Sequence, residues 1–495
     1  MSNTQDSQTS LETKLTELQT LIKSIATDSN DELKAQITML KEVGQTIKNE
    51  ITEQIPNDNY KKSYRLCKNV HLYRSLMIQE VLIDKEGTII KYGDVLMRGH
   101  SLSNITSGAG RTHFSGFTRV CLPSEEEFID VFGGHNVFYA LPKEGNYLYV
   151  WGVNTSGCAG TGNTNHIPIP TKVELPFRPA KILSGTSQAT GKQTTIILSE
   201  DGKVYGAGTN ASGELGIGNT INTTTFTQSP YLKDIVDISL ASDGTSGYCL
   251  AIDKAGMLWG WGFNGSGNLG LNTTTNATIP AKLEFNAKVT KLSTSVNTNT
   301  ATSLILLEDN TIRGAGYNAQ CQLSQTNTTN SSVFIRILAQ NAQELTNIKE
   351  IYASAYQGTC FAIDNDDNLW SWGYGYYGFG DSRSGNNQMA SIALENVERL
   401  EYVDTIYTRA FCLLKDTGQI LSFGLNTDSS LGVGTTTNTR EFASVLMPPR
   451  FKDYCLYALG NEAKLVILAN DSVYSCGTTL DVDINITTPT PQKQI

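Results

Sequence analysis

The sequence repeats itself with a regular period, and this repeat constrains the fold more than any other feature. Related segments read WGVNTSGCAGTGN from Trp151, AGTNASGELGIGN from Ala207, WGFNGSGNLGLN from Trp261 and AGYNAQCQLSQTN from Ala315. The anchoring glycines are 51–57 residues apart: Gly152, Gly208, Gly262, Gly316, Gly373, Gly424 and Gly477. A period of about 54 residues in strand-rich units is typical of the blades of a β-propeller.

Each repeat has the same internal order. An apolar strand such as IVDISLA leads to a second strand, YCLAID, then to a tight turn and a third strand, MLWGWG. The turn residue lies six positions before the anchoring glycine: Gly202, Gly256, Asn310, Asp367, Gly418 and Asp471. Gly, Asn and Asp tolerate the positive φ of a short hairpin turn. We therefore predict three antiparallel strands per unit, followed by an Asn-rich loop and a fourth strand.

These segments resemble the repeats of the regulator of chromosome condensation family, which read approximately W-G-x-N-x-x-G-Q-L-G-x-G and then P-x-x-V. The resemblance covers roughly Phe114 to Thr478. It implies a seven-bladed β-propeller, and the seven anchoring glycines agree with that number. We predict an all-β, seven-bladed β-propeller in residues 114–480, with a polar tail at 481–495.

Two segments bear on the number of blades and on how the ring closes. VLIDKEGTIIKYG, ending at Gly93, has the same hairpin pattern as CLAIDKAGMLWGWG. We interpret it as a hairpin beside the ring, within a connector at 56–113; an eighth blade is the alternative. The segment from Phe117 to Pro123 looks like a fourth strand without the three before it. We expect it to close the ring by pairing with the last unit.

Residues 1–55 are predicted to form a helical coiled-coil segment that ends at Pro56. Its apolar residues follow the alternating four-three spacing of a seam: Leu11, Leu15, Leu18, Ile22, Ile25, Leu33, Ile37, Leu40, Ile47 and Ile51. We expect this segment to assemble a homo-oligomer, most simply a trimer, or to dock on a virion protein. The alternative is a helix that packs against its own propeller.

Composition excludes several classes of function. The net charge is −10 with 17% charged residues, which argues against a nucleic-acid-binding protein with a basic face. The apolar runs are too short for a membrane helix, and the polar N-terminus does not read as a signal peptide. The nine cysteines form no Cys-x-x-Cys pair, and the five histidines have no metal-site spacing. We predict no catalytic residues, no metal and no cofactor.

Most of the repeated large side chains are predicted to pack between blades. Leu215 and its counterparts Leu269, Leu323 and Leu431 are expected to fill the space between blades. The aromatic residues after Trp372 differ, because sister units carry Asn and small residues there. We propose Tyr374, Tyr376, Tyr377 and Phe379 as a binding loop, because exposed aromatic residues on a rigid scaffold favour recognition. A locally repacked loop is the alternative.

Two classes of function follow from these patterns. A short coiled coil before an acidic β domain is similar to phage tail fibres and receptor-binding proteins, so we expect a virion appendage that recognises a host surface protein or glycan. The alternative is a cytoplasmic protein-interaction propeller, such as an exchange factor for a small GTPase or an enzyme inhibitor. The family's namesake is such an exchange factor and also binds chromatin; the acidity of this chain argues against chromatin binding.

Overall fold

The computed structural model describes most of the chain after residue 59. The described residues are 60–67, 75–100, 113–134, 137–185, 192–297, 299–355, 358–376, 378–383, 388–403, 408–447, 451–459, 462–469, 472–477 and 486–494. The chain divides into two compact units: residues 1–62 with 83–89, and residues 63–82 with 90–495. In the first, the described part includes a tight turn closed by a 3.0 Å bond from the Asp84 N–H to the Thr88 carbonyl. The second unit contains nearly all of the strands described below.

The described strands form eight four-stranded sheets, each made of four consecutive strands, which we number as blades 1 to 8. Blade 1 contains β1 Tyr60–Leu66, β2 Ser75–Asp84, β3 Ile89–His100 and β4 His113–Arg119. Blade 2 contains β5 Phe128–Gly133, β6 Val137–Pro142, β7 Tyr147–Gly152 and β8 Ile167–Glu174; blade 3 contains β9 Pro179–Ser184, β10 Thr194–Ser199, β11 Val204–Gly208 and β12 Thr223–Gln228. Blade 4 contains β13 Ile235–Ser242, β14 Gly247–Asp253, β15 Leu258–Gly262 and β16 Ala277–Leu283.

Blade 5 contains β17 Val289–Asn297, β18 Thr300–Leu307, β19 Ile312–Gly316 and β20 Ser331–Arg336. Blade 6 contains β21 Ile348–Tyr352, β22 Thr359–Asp364, β23 Leu369–Gly373 and β24 Gln388–Leu394; blade 7 contains β25 Val397–Val403, β26 Arg409–Leu414, β27 Ile420–Gly424 and β28 Thr439–Ser444. Blade 8 contains β29 Phe451–Leu459, β30 Glu462–Ala469, β31 Ser472–Gly477 and β32 Ile486–Gln494. None of the described residues is helical, so none of them could form a helix that crosses a membrane.

Burial identifies the radial order of the strands within each blade. The second strands, such as β10 and β22, are buried along their whole length because both faces pack against neighbouring blades. The fourth strands, such as β12, have exposed residues. The first strand β13 contacts the first strands β9 and β17 of the adjacent blades. The first strands therefore surround the axis, and the fourth strands form the outer edge.

The predicted turn chemistry is confirmed wherever the turn is described. Gly202, Gly256, Asn310, Asp367 and Gly418 all have positive φ, between 60° and 80°. The anchoring glycines also have positive φ, from 97° at Gly262 to 122° at Gly424. A Cβ at Gly262 would lie 2.4 Å from the Gly247 carbonyl oxygen, so a side chain does not fit at this position.

The loop leucines fill the space between blades, as predicted. Leu215, Leu269, Leu323 and Leu431 are at most 1% exposed. Leu215 lies in the loop between β11 and β12 of blade 3, but it belongs to one apolar cluster with Cys249 and Trp261 of blade 4. Each of these loops therefore contributes a side chain to the interface with the next blade.

The prediction of seven blades is wrong, because a further sheet, β1 to β4, precedes the seven. Its anchoring glycine is Gly99, which pairs with Phe114 as Gly152 pairs with Ile167. Gly99 lies 53 residues before Gly152, within the repeat period. The segment that follows it, HSLSNITSG, lacks the spacing that identified the other copies. VLIDKEGTIIKYG is therefore the hairpin of a blade, and it lies in the segment that we assigned to a connector.

The ring closes without the predicted exchange of a strand. The segment at Phe117 belongs to β4, which pairs with β3, and the last blade has its own fourth strand, β32, in the segment that we assigned to a polar tail. One apolar cluster joins Leu66 and Met77 of blade 1 to Val466 of blade 8. Lys452 of blade 8 also donates a 3.1 Å hydrogen bond to the hydroxyl of Ser63 in blade 1.

The predicted N-terminal coiled coil is not supported. Residues 1–55 and the entire proposed seam from Leu11 to Ile51 lie outside the described residues, and the described residues contain strands without helices. The fold is therefore an all-β, eight-bladed propeller.

Replacing an inter-blade leucine is expected to destabilise the propeller. Leu269→Ala leaves a cavity between blades 4 and 5, so we expect the free energy of unfolding to fall by about 2–5 kcal/mol. Urea denaturation of the full chain measures this loss. The control is Leu446→Ala, at a leucine that is 51% exposed, for which we expect a change within about 0.5 kcal/mol. Equal losses in the two variants would contradict the inter-blade role.

Candidate functional site

The loops between the third and fourth strands form one set of equivalent surface segments. In blades 2 to 7 each loop has 14 residues: 153–166, 209–222, 263–276, 317–330, 374–387 and 425–438. Because every blade has the same strand order, these loops all begin at the same end of their sheets. The six loops therefore lie on the same surface of the ring, and a loop whose sequence differs from the others changes that surface locally.

A buried asparagine fixes the shape of these loops. In blade 4 the Asn264 side-chain oxygen accepts a 2.9 Å bond from the Leu269 N–H, while its amide donates to the carbonyls of Thr273 and Thr275 at 2.9 and 3.1 Å. Asn210, Asn318 and Asn426 make the same three bonds, and Asn154 makes a closely related set. We call this arrangement the asparagine brace.

The brace positions the residues that join neighbouring blades. The residue before the braced leucine, Glu214 in blade 3, presents its carbonyl to the indole N–H of Trp261 in blade 4 at 2.8 Å. The Gln322 carbonyl of blade 5 accepts from Trp372 of blade 6 at the same distance. Five loops therefore form a rigid, repeated framework, and their asparagines are structural.

The blade 6 loop departs from this framework at the position that sequence analysis selected. Gly375 replaces the asparagine, so the brace is absent from this loop. Tyr376 is 54% exposed and Tyr374 is half-buried. Tyr377 lies outside the described residues. Phe379 is fully buried, so its inclusion among the binding residues is wrong.

The burial of Phe379 has a simple geometric cause. The hydroxyl of Ser371 donates to the Phe379 carbonyl at 2.8 Å, as Ser422 donates to the carbonyl of Leu431 in blade 7. Phe379 therefore occupies the place of the inter-blade leucine, one residue earlier in the loop. The repacking that we considered as the alternative applies to this residue, while Tyr374 and Tyr376 remain accessible.

Arg383, which sequence analysis missed, holds the blade 6 loop in the absence of the asparagine brace. Its guanidinium donates to Asp381 at 2.7 Å and to the carbonyls of Ser371 and Met389, both at 3.1 Å. It also lies over the Phe379 ring, 4.7 Å from the centroid. The sequence did contain a signal, because the other five loops carry Gly, Asn or Thr at this position.

Tyr374 and Tyr376 form a parallel pair at the start of this loop. Their ring centroids are 6.1 Å apart and the ring planes differ by 5°. A fixed pair of amphipathic rings can contact the apolar surface of a partner while the phenolic hydroxyls form hydrogen bonds. The pair has the physical properties of a contact point for another molecule.

No group of three His, Cys, Asp or Glu side chains among the described residues could hold a metal ion. All nine cysteines are described; none forms a disulfide, and all except Cys121 are buried. Burial raises the pKa of Cys158 to about 11, so its thiolate is scarce at neutral pH.

One buried carboxyl group stands out within the loop framework. Glu214 is 1% exposed, and burial raises its pKa above the ordinary value of 4.5. Its carboxylate accepts a 2.8 Å bond from the Ser212 N–H. The equivalent residue in blade 5 is Gln322, whose side-chain oxygen accepts from the Gln320 N–H at 3.0 Å and whose NH2 group donates to the Ala355 carbonyl at 2.6 Å. A neutral amide is therefore compatible with this position.

Comparisons with known proteins agree with a propeller of this repeat type. Residues 255–301 match the regulator of chromosome condensation (RCC1) repeat. The chain is 33% identical over 144 residues to the X-linked retinitis pigmentosa GTPase regulator of Canis lupus familiaris, and 22% identical over 296 residues to the human E3 ubiquitin-protein ligase HERC2. These matches span 29% and 59% of the chain, but 14% and 6% of the two relatives, so the chain corresponds to a small part of each.

A solved structure supports the fold. Human WBSCR16 aligns with a TM-score of 0.53 and 18% sequence identity, covering 73% of this chain and 91% of that protein. The chain is therefore a β-propeller that contains an RCC1 repeat.

The Glu214→Gln variant is expected to be more stable than the unmodified protein at high pH. Below pH 4.5 the carboxyl group is protonated in both the folded and the unfolded chain. Because burial raises its pKa in the folded chain, the group ionises at lower pH in the unfolded chain, so a rise in pH toward the folded-state pKa favours unfolding. We therefore expect the variant's melting temperature to exceed that of the unmodified protein at pH 8, and the difference to shrink toward pH 4.5. A constant or inverted difference across this range, measured by calorimetry, would contradict the assignment.

Proposed function

We propose that this protein is a non-enzymatic interaction protein of the cytoplasm, whose propeller binds a partner protein through the blade 6 loop. The observation that carries the proposal is the exposed Tyr374–Tyr376 pair on the one described loop in blades 2 to 7 that lacks the asparagine brace. Arg383 holds the base of that loop through bonds to two backbone carbonyls. The aromatic side chains are therefore ordered before a partner binds, which lowers the entropic cost of binding.

A small GTPase is the first class of partner to test. The support is the 33% identity to part of a protein that is named as a GTPase regulator. That match covers 14% of the relative, so the partner of this chain is a proposal. A virion appendage, the main expectation from the sequence, lacks comparable support, since neither relative named above nor the similar structure is a virion protein.

Binding to small GTPases can be tested with the full chain. A panel of purified GTPases is presented in the GDP-bound and nucleotide-free forms, and binding is measured by calorimetry. We expect saturable binding to at least one member, with release of a fluorescent GDP analogue as a second reading. A panel that covers the main GTPase subfamilies and gives no binding in either form would exclude this partner class.

The Tyr374–Tyr376 pair is expected to contribute most of the affinity for the partner. Because central aromatic contacts dominate interface energies, Tyr376→Ser is expected to weaken binding by about tenfold or more, and Tyr374→Ser by a similar factor. The control is Tyr231→Ser, at a tyrosine that is 40% exposed on the connection between blades 3 and 4. Unchanged affinity in both loop variants, with unchanged melting temperatures, would place the interface elsewhere on the propeller.

A further inference from the structure

Every blade carries a charged residue at the same position of its first strand, and the sign of the charge alternates around the ring. In blade order the residues are Arg65, Asp130, Lys181, Asp237, Lys291, Glu350, Arg399 and Asp453. We call this set the charge ring. Four cations and four anions alternate without interruption, including between blade 8 and blade 1.

The local backbone explains why these eight residues are equivalent. In blades 2 to 8 the pairing of the first strand is shifted by a β-bulge, and the charged residue follows the shift directly, as at Asp237 after Ile235. A carboxylate oxygen of Asp130, Asp237 and Asp453 also accepts from the next backbone N–H, at 2.8–2.9 Å. The bulge therefore presents the charged side chains of blades 2 to 8 in the same way, and Arg65 of blade 1 precedes a buried residue, Leu66, as Asp130 precedes Val131.

Direct contacts link members of the ring across blade boundaries. The Lys181 ammonium lies 2.8 Å from the Asp237 carboxylate, and Arg399 lies 3.0 Å from Asp453. Lys291 contacts Glu350 in the same manner. The Lys181–Asp237 and Arg399–Asp453 pairs are each reinforced by a bond from the cation to the backbone carbonyl of the residue after the anion. Lys181 donates to Ile238 at 2.8 Å, and Arg399 donates to Tyr454 at 3.1 Å.

The fourth cation also reaches the following blade. Arg65 donates to the carbonyl of Ile129, the residue before Asp130. The side chains of the contacting pairs are between 29% and 43% exposed, so water reaches the ring from the axis of the propeller. Single ion pairs with this exposure contribute little to stability, whereas several charges in a network contribute more.

We propose that the charge ring couples all eight blades electrostatically and so favours closure of the propeller with eight blades rather than seven. Signs that alternate around a circle meet without conflict when the number of positions is even. In a ring of seven, two like charges would meet at one boundary. The charge ring therefore favours the eight-bladed closure and disfavours any arrangement that brings like charges together.

Exchanging the signs of part of the ring tests this coupling. In Lys181→Asp/Asp237→Lys the exchanged pair keeps its own contact, but like charges then meet at the blade 2–3 and blade 4–5 boundaries. Adding Lys291→Glu/Glu350→Lys moves the second conflict to the blade 6–7 boundary and leaves the number of conflicts at two. If the ring acts as a unit, the two variants have the same loss of stability although one carries twice as many substitutions.

The readout is the melting temperature of the full chain at two salt concentrations. At 0.01 M salt, where charges interact over about 30 Å, we expect both variants to melt roughly 2–4 °C lower than the unmodified protein. At 1 M salt the interaction range is about 3 Å, and we expect at least half of the loss to disappear. The control exchanges an exposed pair away from the ring, Lys288→Glu/Glu308→Lys, whose nitrogen–oxygen distance is 3.9 Å; we expect a change below about 1 °C.

Two results would overturn the proposal. Unchanged melting temperatures in both ring variants would mean that each pair acts independently of its neighbours. A loss that doubles from the two-residue to the four-residue variant, and that is insensitive to salt, would mean that packing at each substituted position is responsible.

Discussion

The asparagine brace is the interaction on which the rest of the propeller depends. In blade 3 the Asn210 side chain receives the Leu215 N–H at 2.9 Å, which fixes the leucine in the interface with blade 4. The same loop directs the Glu214 carbonyl to Trp261 of blade 4. A single buried amide thus links a loop, an apolar contact and an inter-blade hydrogen bond. Because buried polar groups without partners are costly, the complete bonding of this amide keeps the loop in one conformation.

A rigid repeated framework also explains how one loop can specialise. The blade 6 loop retains an apolar residue between blades, Phe379, and uses Arg383 in place of the asparagine. Its first residues are therefore released from the shape imposed on the other five loops. Tyr374 and Tyr376 occupy this region, so the proposed recognition function depends on the loss of the brace in that loop.

The sequence predicted the repeated parts of the structure because each has a local physical cause. Hairpin turns need residues that accept positive φ, and loop leucines need an apolar space, so both patterns recur at the repeat period. The blade containing Gly99 was not counted because its loop lacks the recurring motif, although its strands follow the same order. Phe379 was misplaced because a shift of one residue within a loop moves a side chain from the surface to the interior. Arg383 was missed although its contacts are local and the other five loops carry Gly, Asn or Thr at its position. The contacts of the charge ring join residues of different blades, which spacing along the chain does not reveal.

Hydrogen exchange of the loop amides tests the central role of the brace most directly. The measurement compares the N–H groups of Leu215, Leu269, Leu323 and Leu431 with the exposed loop residues of the same blades. Since each of these leucine amides donates to a buried asparagine, we predict exchange as slow as that of the second-strand amides. Exchange as fast as that of the exposed loop residues would contradict the account, because the loops would then open independently of the blades.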